Sequence, residues 1–327
     1  MNKRIDSFYK HSTSPVEEVT VQVPYLEDGV VDGGKQVSVI VPLYNEEKNV
    51  QSVVEDLEET LILLGTEFEI ILVDDGSTDR TLEIAQAMQR RYQPHVKVLV
   101  HDVNKGKSAA MMTGFQYAGG EYLVMMDGDG QFRAADIPKM VEKLERGYEV
   151  VNGWGKKREP ITKIIPSLIY NGICQRLFSL PVHQFNLGFK AFRRDVVRDL
   201  HLKRDEHRYI LPLLKDKGCT ITEVSVDYLP RLNGKSKYGV MRIPCGIMDM
   251  VALKMDLTLG ERPFRFFGMI SFGMLSAALL SGLYTLYTWI SGAGMPWWNI
   301  VLTAALLLSG INVLLVGYAV ETAKYHR

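Results

Sequence analysis

Two uncharged apolar runs near the C-terminus limit what this chain can fold into. Phe266–Ile290 reads FFGMISFGMLSAALLSGLYTLYTWI, and Trp298–Val320 reads WNIVLTAALLLSGINVLLVGYAV. Each exceeds the roughly 20 residues that a helix needs to cross the hydrocarbon core of a bilayer. A soluble core helix of that length seldom lacks a charge. Tyr284, Tyr287, Trp289, Trp297 and Trp298 gather toward the ends that meet across the short linker SGAGMPW, as an interfacial aromatic belt does. Arg262 and Arg265 precede the first run, Lys324 and Arg327 follow the second, and the linker carries no charge. The positive-inside rule predicts an integral membrane protein with two spans (266–290 and 298–320), both termini and the whole N-terminal part being cytoplasmic. Two spans with so little polar lining make an anchor on the bilayer, not a transport path.

The rest of the chain has the composition of a soluble domain. Lys+Arg and Asp+Glu both total 38, so the net charge is zero. That argues against a general polyanion binder and predicts no nucleic-acid partner. Cys174, Cys219 and Cys245 are far apart and form no CxxC pair. Neither a disulfide framework nor a zinc site is expected. Residues 1–35 are polar, end in LEDGVVDGGK and lack the apolar segment of a signal peptide; they read as a mobile leader. Residues 36–238 read as the main folded domain, and residues 239–265 as an amphipathic juxtamembrane segment lying at the interface.

From residue 36 a βα rhythm begins. Short apolar runs at 37–42, 68–73, 96–100, 122–126 and 148–151 read as strands. Helical spacing separates them at 46–64, 81–91, 108–117 and 134–146. Strands of this length alternating with helices predict an α/β fold, a doubly wound, mostly parallel sheet. Ligands of such sheets bind at the carboxyl ends of the strands, near the point where strand order reverses. Three segments fall on that rim: Pro42–Glu46, Asp74–Asp79 and Asp127–Gln131. No G-x-G-x-x-G follows the first strand, and no G-x-x-x-x-G-K-[ST] occurs, so dinucleotide binding and P-loop hydrolysis lack their phosphate cradle.

Asp74, Asp75, Asp127 and Asp129 would converge where the strands end. Four carboxylates repel one another unless a positive group sits among them. A hard divalent cation supplies that charge, and Mg²⁺ typically takes one or two carboxylates plus substrate phosphates. A nucleotide diphosphate meets the remaining requirement, with Asp74 and Asp75 accepting hydrogen bonds from a base and Asp129 holding the metal. As plain turn chemistry, Asp79 or Thr78 would cap the following helix. That cap leaves the doubled aspartate before Gly76 unexplained.

The ordered set VSVIVPLYNEEKNV, ILVDDGSTDRT, NKGKSAAMMTGF and MMDGDGQF resembles inverting family 2 glycosyltransferases of the GT-A fold. NLGFKAFRRDV, ITEVSVDYLPR and RLNGKSKYG narrow the likeness to dolichyl- and undecaprenyl-phosphate sugar transferases, whose bacterial branch carries a two-span C-terminal hairpin. The resemblance covers residues 36–327. It implies transfer of a single sugar from a nucleotide diphosphate sugar to a polyprenyl phosphate at the cytoplasmic face, with Mg²⁺ or Mn²⁺. It places Pro42, Tyr44, Glu46, Asp74, Asp75, Lys107 and Gly128 at the nucleotide, with Asp75 at the base. Asp127 falls near the ribose and diphosphate, Asp129 and Gln131 at the metal, and Arg158 near the diphosphate. Arg231, Ser236 and Lys237 would hold donor and acceptor phosphates, so Asp127, Asp129, Arg231 and Lys237 are the expected catalytic set. A homo-oligomer is compatible with all of this.

Two positions depart from the family pattern. Relatives often have an aspartate four residues before the glycine of the GF[RK] element, where this chain has Gln184. Glutamine is no general base, but a phosphate acceptor is already an oxyanion and needs none. His183 is a neighbouring substitute. Phe132-Arg-Ala-Ala135 stands where relatives carry Pro-Pro. The alternatives are a catalytically weak, membrane-anchored nucleotide-sugar scaffold and a glycosyltransferase that uses another lipid acceptor.

Overall fold

The computed structural model describes residues 21–22, 37–155, 161–203, 205–229, 242–259, 263–292, 294 and 296–325. Arg158, Arg231, Ser236 and Lys237 lie outside the described residues, as does the leader apart from Val21–Gln22. The described residues divide into two units, one ending at Met250 and the other beginning at Val251.

In the first unit, β-branched and aliphatic runs give the strands β2 (Val37–Leu43), β3 (Phe68–Asp74), β4 (Val96–His101) and β5 (Tyr122–Met126). Between them run α1 (Val50–Leu64), α2 (Thr81–Arg91) and α3 (Lys107–Tyr117). After β5 come α4 (Ile137–Glu145), β6 (Val150–Trp154), α5 (Ile161–Phe178), β7 (Phe189–Arg193), α6 (Arg194–Arg198), α7 (Ile210–Asp216) and β8 (Ile221–Ser225). A two-residue strand, β1 (Val21–Gln22), pairs antiparallel with β4, opposite His101 and Val100. The eight strands form one sheet in the order β1-β4-β3-β2-β5-β7-β6-β8. β2 pairs parallel with both β3 and β5, so the order reverses at β2. β7 runs antiparallel between β5 and β6, and β8 lies parallel to β6. The sheet is therefore mostly parallel, as its βα rhythm predicts, with β7 as an inserted reverse strand.

Both faces of the sheet are covered, which is why the central strands read as continuous apolar runs. Val37, Val39, Val41 and Leu43 point into a core with Val50, Val54, Leu57 and Leu61 of α1 and Met140 and Leu144 of α4. Ile40 points the other way, against Gly114 of α3. The β2–β5 ladder ends at Ile40↔Met125, two residues before Pro42. Beyond it Pro42 has no β5 partner to supply with an N–H, which makes proline tolerable in a central strand.

The second unit contains α9 (Pro263–Ile290) and α10 (Trp297–Tyr325), each long and apolar enough to cross a membrane. At about 1.5 Å per residue both exceed a 30 Å hydrocarbon core. They pack on each other through small residues: Ser271 Oγ donates to Gly310 O at 2.8 Å, and Gly317 faces Phe267. Ser281 Oγ donates to Asn299 Oδ1 at 2.9 Å, and Asn299 Nδ2 to Ser281 O at 2.9 Å. Ser281 and Asn299 thus satisfy each other between the two helices. Before them, α8 (Arg242–Leu259) leaves Met248, Val251 and Met255 exposed.

Candidate active site

Because β2, β3 and β5 are parallel, their carboxyl ends share one rim, and the three acidic or polar segments meet there. The turn after β2 is laced to the turn after β3. Asn45, at φ 54°, donates its N–H to Ser77 Oγ at 3.0 Å and accepts the Thr78 N–H on Oδ1 at 2.8 Å. Glu46 N donates to Thr81 Oγ1 at 2.7 Å, and Glu46 Oε2 accepts from Asn49 Nδ2 at 2.7 Å. Asp79, one residue ahead of the α2 N-cap, accepts the Thr81 N–H at 3.0 Å. The helix start is thus tied down by Asp79, independently of the aspartate pair.

The two aspartates of that pair behave differently. Asp75 is 3% exposed and uses both carboxylate oxygens: Oδ1 accepts from His101 Nδ1 at 2.8 Å and Lys105 N at 2.9 Å, and Oδ2 from Gly106 N at 2.8 Å. His101 Nε2 is in turn hydrogen-bonded with the Thr113 hydroxyl at 2.9 Å. Asp75 thereby fixes the loop that opens α3. Asp74 is 1% exposed and is bonded by Ser77 through both side chain and backbone, the N–H reaching Oδ2 at 3.2 Å; its Oδ1 is buried with no partner among the described residues. Burial raises its carboxyl above the ordinary range, opposed by the Ser77 hydrogen bonds. A buried carboxylate oxygen without a partner is costly unless a ligand supplies one.

The start of α3 places Lys107 against Asp127, with which it forms an ion pair across the strand order. Asp127 is fixed from behind as well, since its N–H donates to Gly188 O at 3.0 Å. The loop after β5 folds back over the end of β2. A Cβ at Gly128 would lie 2.4 Å from Leu43 Cδ2 and 3.4 Å from Pro42 O, so only glycine lets the loop approach. Asp129, 6% exposed, accepts the Gln131 N–H at 3.2 Å. Gln131 is joined to the strand β8 extension in both directions: Leu229 N donates to Gln131 O at 2.8 Å, and Gln131 Nε2 to Leu229 O at 3.2 Å. Phe132 and Tyr228 stack edge-on beside this bond.

Among the described residues no three His, Cys, Asp or Glu side chains gather as a metal cage. The oxygens present, the Asp127 and Asp129 carboxylates and the Gln131 amide carbonyl, suit a hard divalent ion that takes its remaining ligands from a diphosphate. The predicted residues from Pro42 to Gln131 are therefore brought together on one rim. Arg158, Arg231, Ser236 and Lys237 fall outside the description.

The Gln184 departure has a structural explanation. Its side chain makes a two-point contact with one backbone unit: Nε2 donates to Gly155 O at 2.7 Å, and Oε1 accepts from Gly155 N at 3.2 Å. An aspartate is too short and lacks the donor. Gln184 thus clamps the end of β6 to the loop before β7.

Sequence reasoning overlooked Lys190. It lies in β7, 1% exposed, and its Nζ donates to Leu187 O. Burial, reinforced by the Lys107 cation and opposed by Asp127 and Glu223, pushes its ammonium down from 10.5 to about 7. An unfolded chain keeps that proton to about pH 10.5, whereas the folded one releases it above about 7, so between them the unfolded state binds more protons. Stability from this residue therefore rises with pH across that window, and the burial penalty is fully present below it. Lys190→Met is expected to remove the slope, at most ~1.4 kcal/mol per pH unit. Thermal melts at pH 7.5 and 9.5 check this: the wild type gains with pH and the variant stays flat.

Residues 38–200 match the profile of glycosyl transferase family 2. Dodecaprenyl-phosphate galacturonate synthase of Rhizobium johnstonii is 32% identical over 254 residues, covering 76% of this chain and 75% of its own. Undecaprenyl-phosphate 4-deoxy-4-formamido-L-arabinose transferase of Pseudomonas aeruginosa is 31% identical over 286 residues, covering 86% and 83%. Among solved structures, glucosyl-3-phosphoglycerate synthase from Mycobacterium tuberculosis with Mn²⁺ and UDP-glucose has a TM-score of 0.54 at 17% identity, over 72% of this chain and 87% of that one. This last likeness is one of fold, the GT-A arrangement.

Proposed function

The chain belongs to glycosyl transferase family 2, and we propose that it moves one sugar from a nucleotide diphosphate sugar to a polyprenyl phosphate, inverting the anomeric centre. The observation that carries this reading is the coexistence, in one chain, of an acidic rim at the β2 switch point and two membrane-length helices. It is supported by the relatives named above, a dodecaprenyl-phosphate galacturonate synthase and an undecaprenyl-phosphate 4-deoxy-4-formamido-L-arabinose transferase, each matched over three quarters or more of this chain.

In this reading an acceptor phosphate oxygen attacks the anomeric carbon in line as the bond to the diphosphate breaks, and the nucleoside diphosphate departs. The acceptor is already an oxyanion, so no side chain need remove a proton. That suits a site where Gln184 is committed to Gly155. Asp74 Oδ1, buried and without a partner among the described residues, lies on the side assigned to the base, and Pro42, Tyr44, Glu46 and Asp75 shape the nucleotide side of the rim. Lys107 holds Asp127 in place beside the diphosphate. Asp129 and Gln131 hold Mg²⁺ or Mn²⁺, which when bound neutralises charge on the leaving diphosphate. Arg158, Arg231, Ser236 and Lys237 supply cations and a hydroxyl to the phosphates. The Gln131–Leu229 hydrogen bonds tie the metal turn to the chain that leads into Arg231. The cation-flanked hairpin anchors the domain on the cytoplasmic leaflet, with the exposed apolar residues of α8 toward the lipid.

The test is transfer itself. Full-length protein in detergent, with radiolabelled UDP- and GDP-sugars, undecaprenyl phosphate and Mn²⁺ or Mg²⁺, is expected to move label into the organic phase. EDTA should stop the transfer and added metal restore it. Label that stays aqueous with every donor and both metals would refute the function.

A further inference from the structure

One feature of the rim is built without a role in the chemistry above. His183 stands in the loop between α5 and β7. β6 and β8 run parallel to β5, so this loop, the end of β6 and the Asp127 turn all lie on the same edge of the sheet. The His183 side chain is 63% exposed, yet it is held from two sides. Its Nδ1 donates to Glu223 Oε2 at 2.7 Å, and its backbone N–H reaches the same carboxylate at 3.0 Å. Asn152 Nδ2 donates to Glu223 Oε1 at 2.9 Å, so the carboxylate is itself fixed. The imidazole lies on the Trp154 indole, with centroids 4.4 Å apart and planes inclined by 18°.

An exposed histidine usually keeps its rotamers; this one has both its ring plane and its tautomer set. A carboxylate can only accept, so the ring proton stands on Nδ1. In the neutral ring Nε2 then presents a lone pair, and among the described residues it takes no hydrogen bond. A lone pair suits a hydroxyl and disfavours phosphate or carboxylate oxygens, which offer no proton. β6 is two strands from β5, about 10 Å at the usual strand spacing. A sugar carried on a diphosphate at the Asp127–Asp129 turn can span that distance.

We propose that His183, held by Glu223 and Trp154, accepts a hydrogen bond from a hydroxyl of the transferred sugar and so helps select the donor. The proposal rests on the function given above. In it His183 touches the sugar, whereas Glu223 is a positioning residue that sets the tautomer.

The experiment compares nucleotide with nucleotide sugar on full-length protein in detergent with Mn²⁺. Calorimetry gives the affinities of UDP, UDP-glucose, UDP-galacturonate and UDP-4-deoxy-4-formamido-L-arabinose, with GDP and GDP-glucose alongside. His183→Ala and His183→Phe, the latter keeping a ring on Trp154, are expected to leave nucleotide affinity within about twofold and weaken the best-bound nucleotide sugar about five- to tenfold. Glu223→Gln can donate to Nδ1 and shift the ring proton to Nε2, so it should weaken the same sugar although the histidine remains. Variants that weaken nucleotide and nucleotide sugar equally, or neither, overturn the proposal, as does a wild type that binds both alike. Transfer to undecaprenyl phosphate is read on the same preparations. Its absence in the wild type refutes the function, while the difference between sugar and nucleotide affinities still decides His183.

Discussion

Asp129→Ala is expected to lower sugar transfer by about three orders of magnitude while leaving the protein folded. The size follows from the job assigned to the site: a nucleoside diphosphate leaves with charge that nothing in the described apolar core can stabilise. Removing one group that meets developing charge typically costs about 10²–10³ in rate, and a metal ligand sits at the upper end of that range. The turn does not depend on Asp129 alone. Asp129 accepts the Gln131 N–H in its own turn, a bond of about 1 kcal/mol. The turn is held separately by the Gln131–Leu229 pair and by the fit of Gly128 on Pro42 and Leu43. Initial rates of label entering the lipid phase, beside a thermal melt, separate the two effects. A folded Asp129→Ala protein with more than a tenth of wild-type activity would remove Asp129 from the metal site. Excess Mn²⁺ should not restore the variant, because the missing group is a ligand and not merely a weak one.

The half of the sheet that ends in the acidic rim was legible in the chain because its signals are local. β2, β3 and β5 are buried on both faces and therefore appear as unbroken apolar runs, each followed by the acidic turn it delivers to the rim. In the other half only β6 was legible, as the apolar run at 148–151, and the rest was hidden for a physical reason. β7 is a reverse strand between two others, so Phe189, Lys190, Ala191 and Phe192 are all buried, and no alternation marks it. A lysine in such a run reads as a solvent-facing residue, whereas here it is enclosed. Pairings across the chain were equally invisible: Asp75 with His101, Lys107 with Asp127, and Gln184 with Gly155 join residues far apart in sequence. The doubled aspartate shows the limit well. Composition marks both residues as one acidic unit, but contacts divide them into Asp75, which holds a loop, and Asp74, which has an oxygen to spare.

Gly188→Ala is expected to lower transfer about a hundredfold, with only a modest fall in melting temperature. Gly188 does not have the left-handed backbone that would penalise alanine directly, so the effect must come from space. Its added Cβ would lie 2.0 Å from Asp127 Oδ2 and 2.2 Å from Asp127 Cγ. One of the two has to move. The backbone cannot retreat easily, since Asp127 N donates to Gly188 O at 3.0 Å and the β5–β7 ladder continues from Met126↔Phe189. The carboxylate can rotate, and doing so breaks its ion pair with Lys107 and turns it from the diphosphate. Overpacking of this kind costs about 1–3 kcal/mol when the neighbours are rigid, and less when a polar side chain can swing aside. The damage therefore falls on the site more than on the fold. Non-additivity distinguishes this route from a general loosening of β7: groups that act as one unit are lost only once. Asp127→Ala opens the space that the new methyl needs, so the double variant should transfer sugar no more slowly than Asp127→Ala alone and should regain the stability lost in Gly188→Ala. A double variant slower than Asp127→Ala by a further hundredfold would mean that Gly188 serves the sheet, and that the observed Asp127 rotamer does not govern the rate.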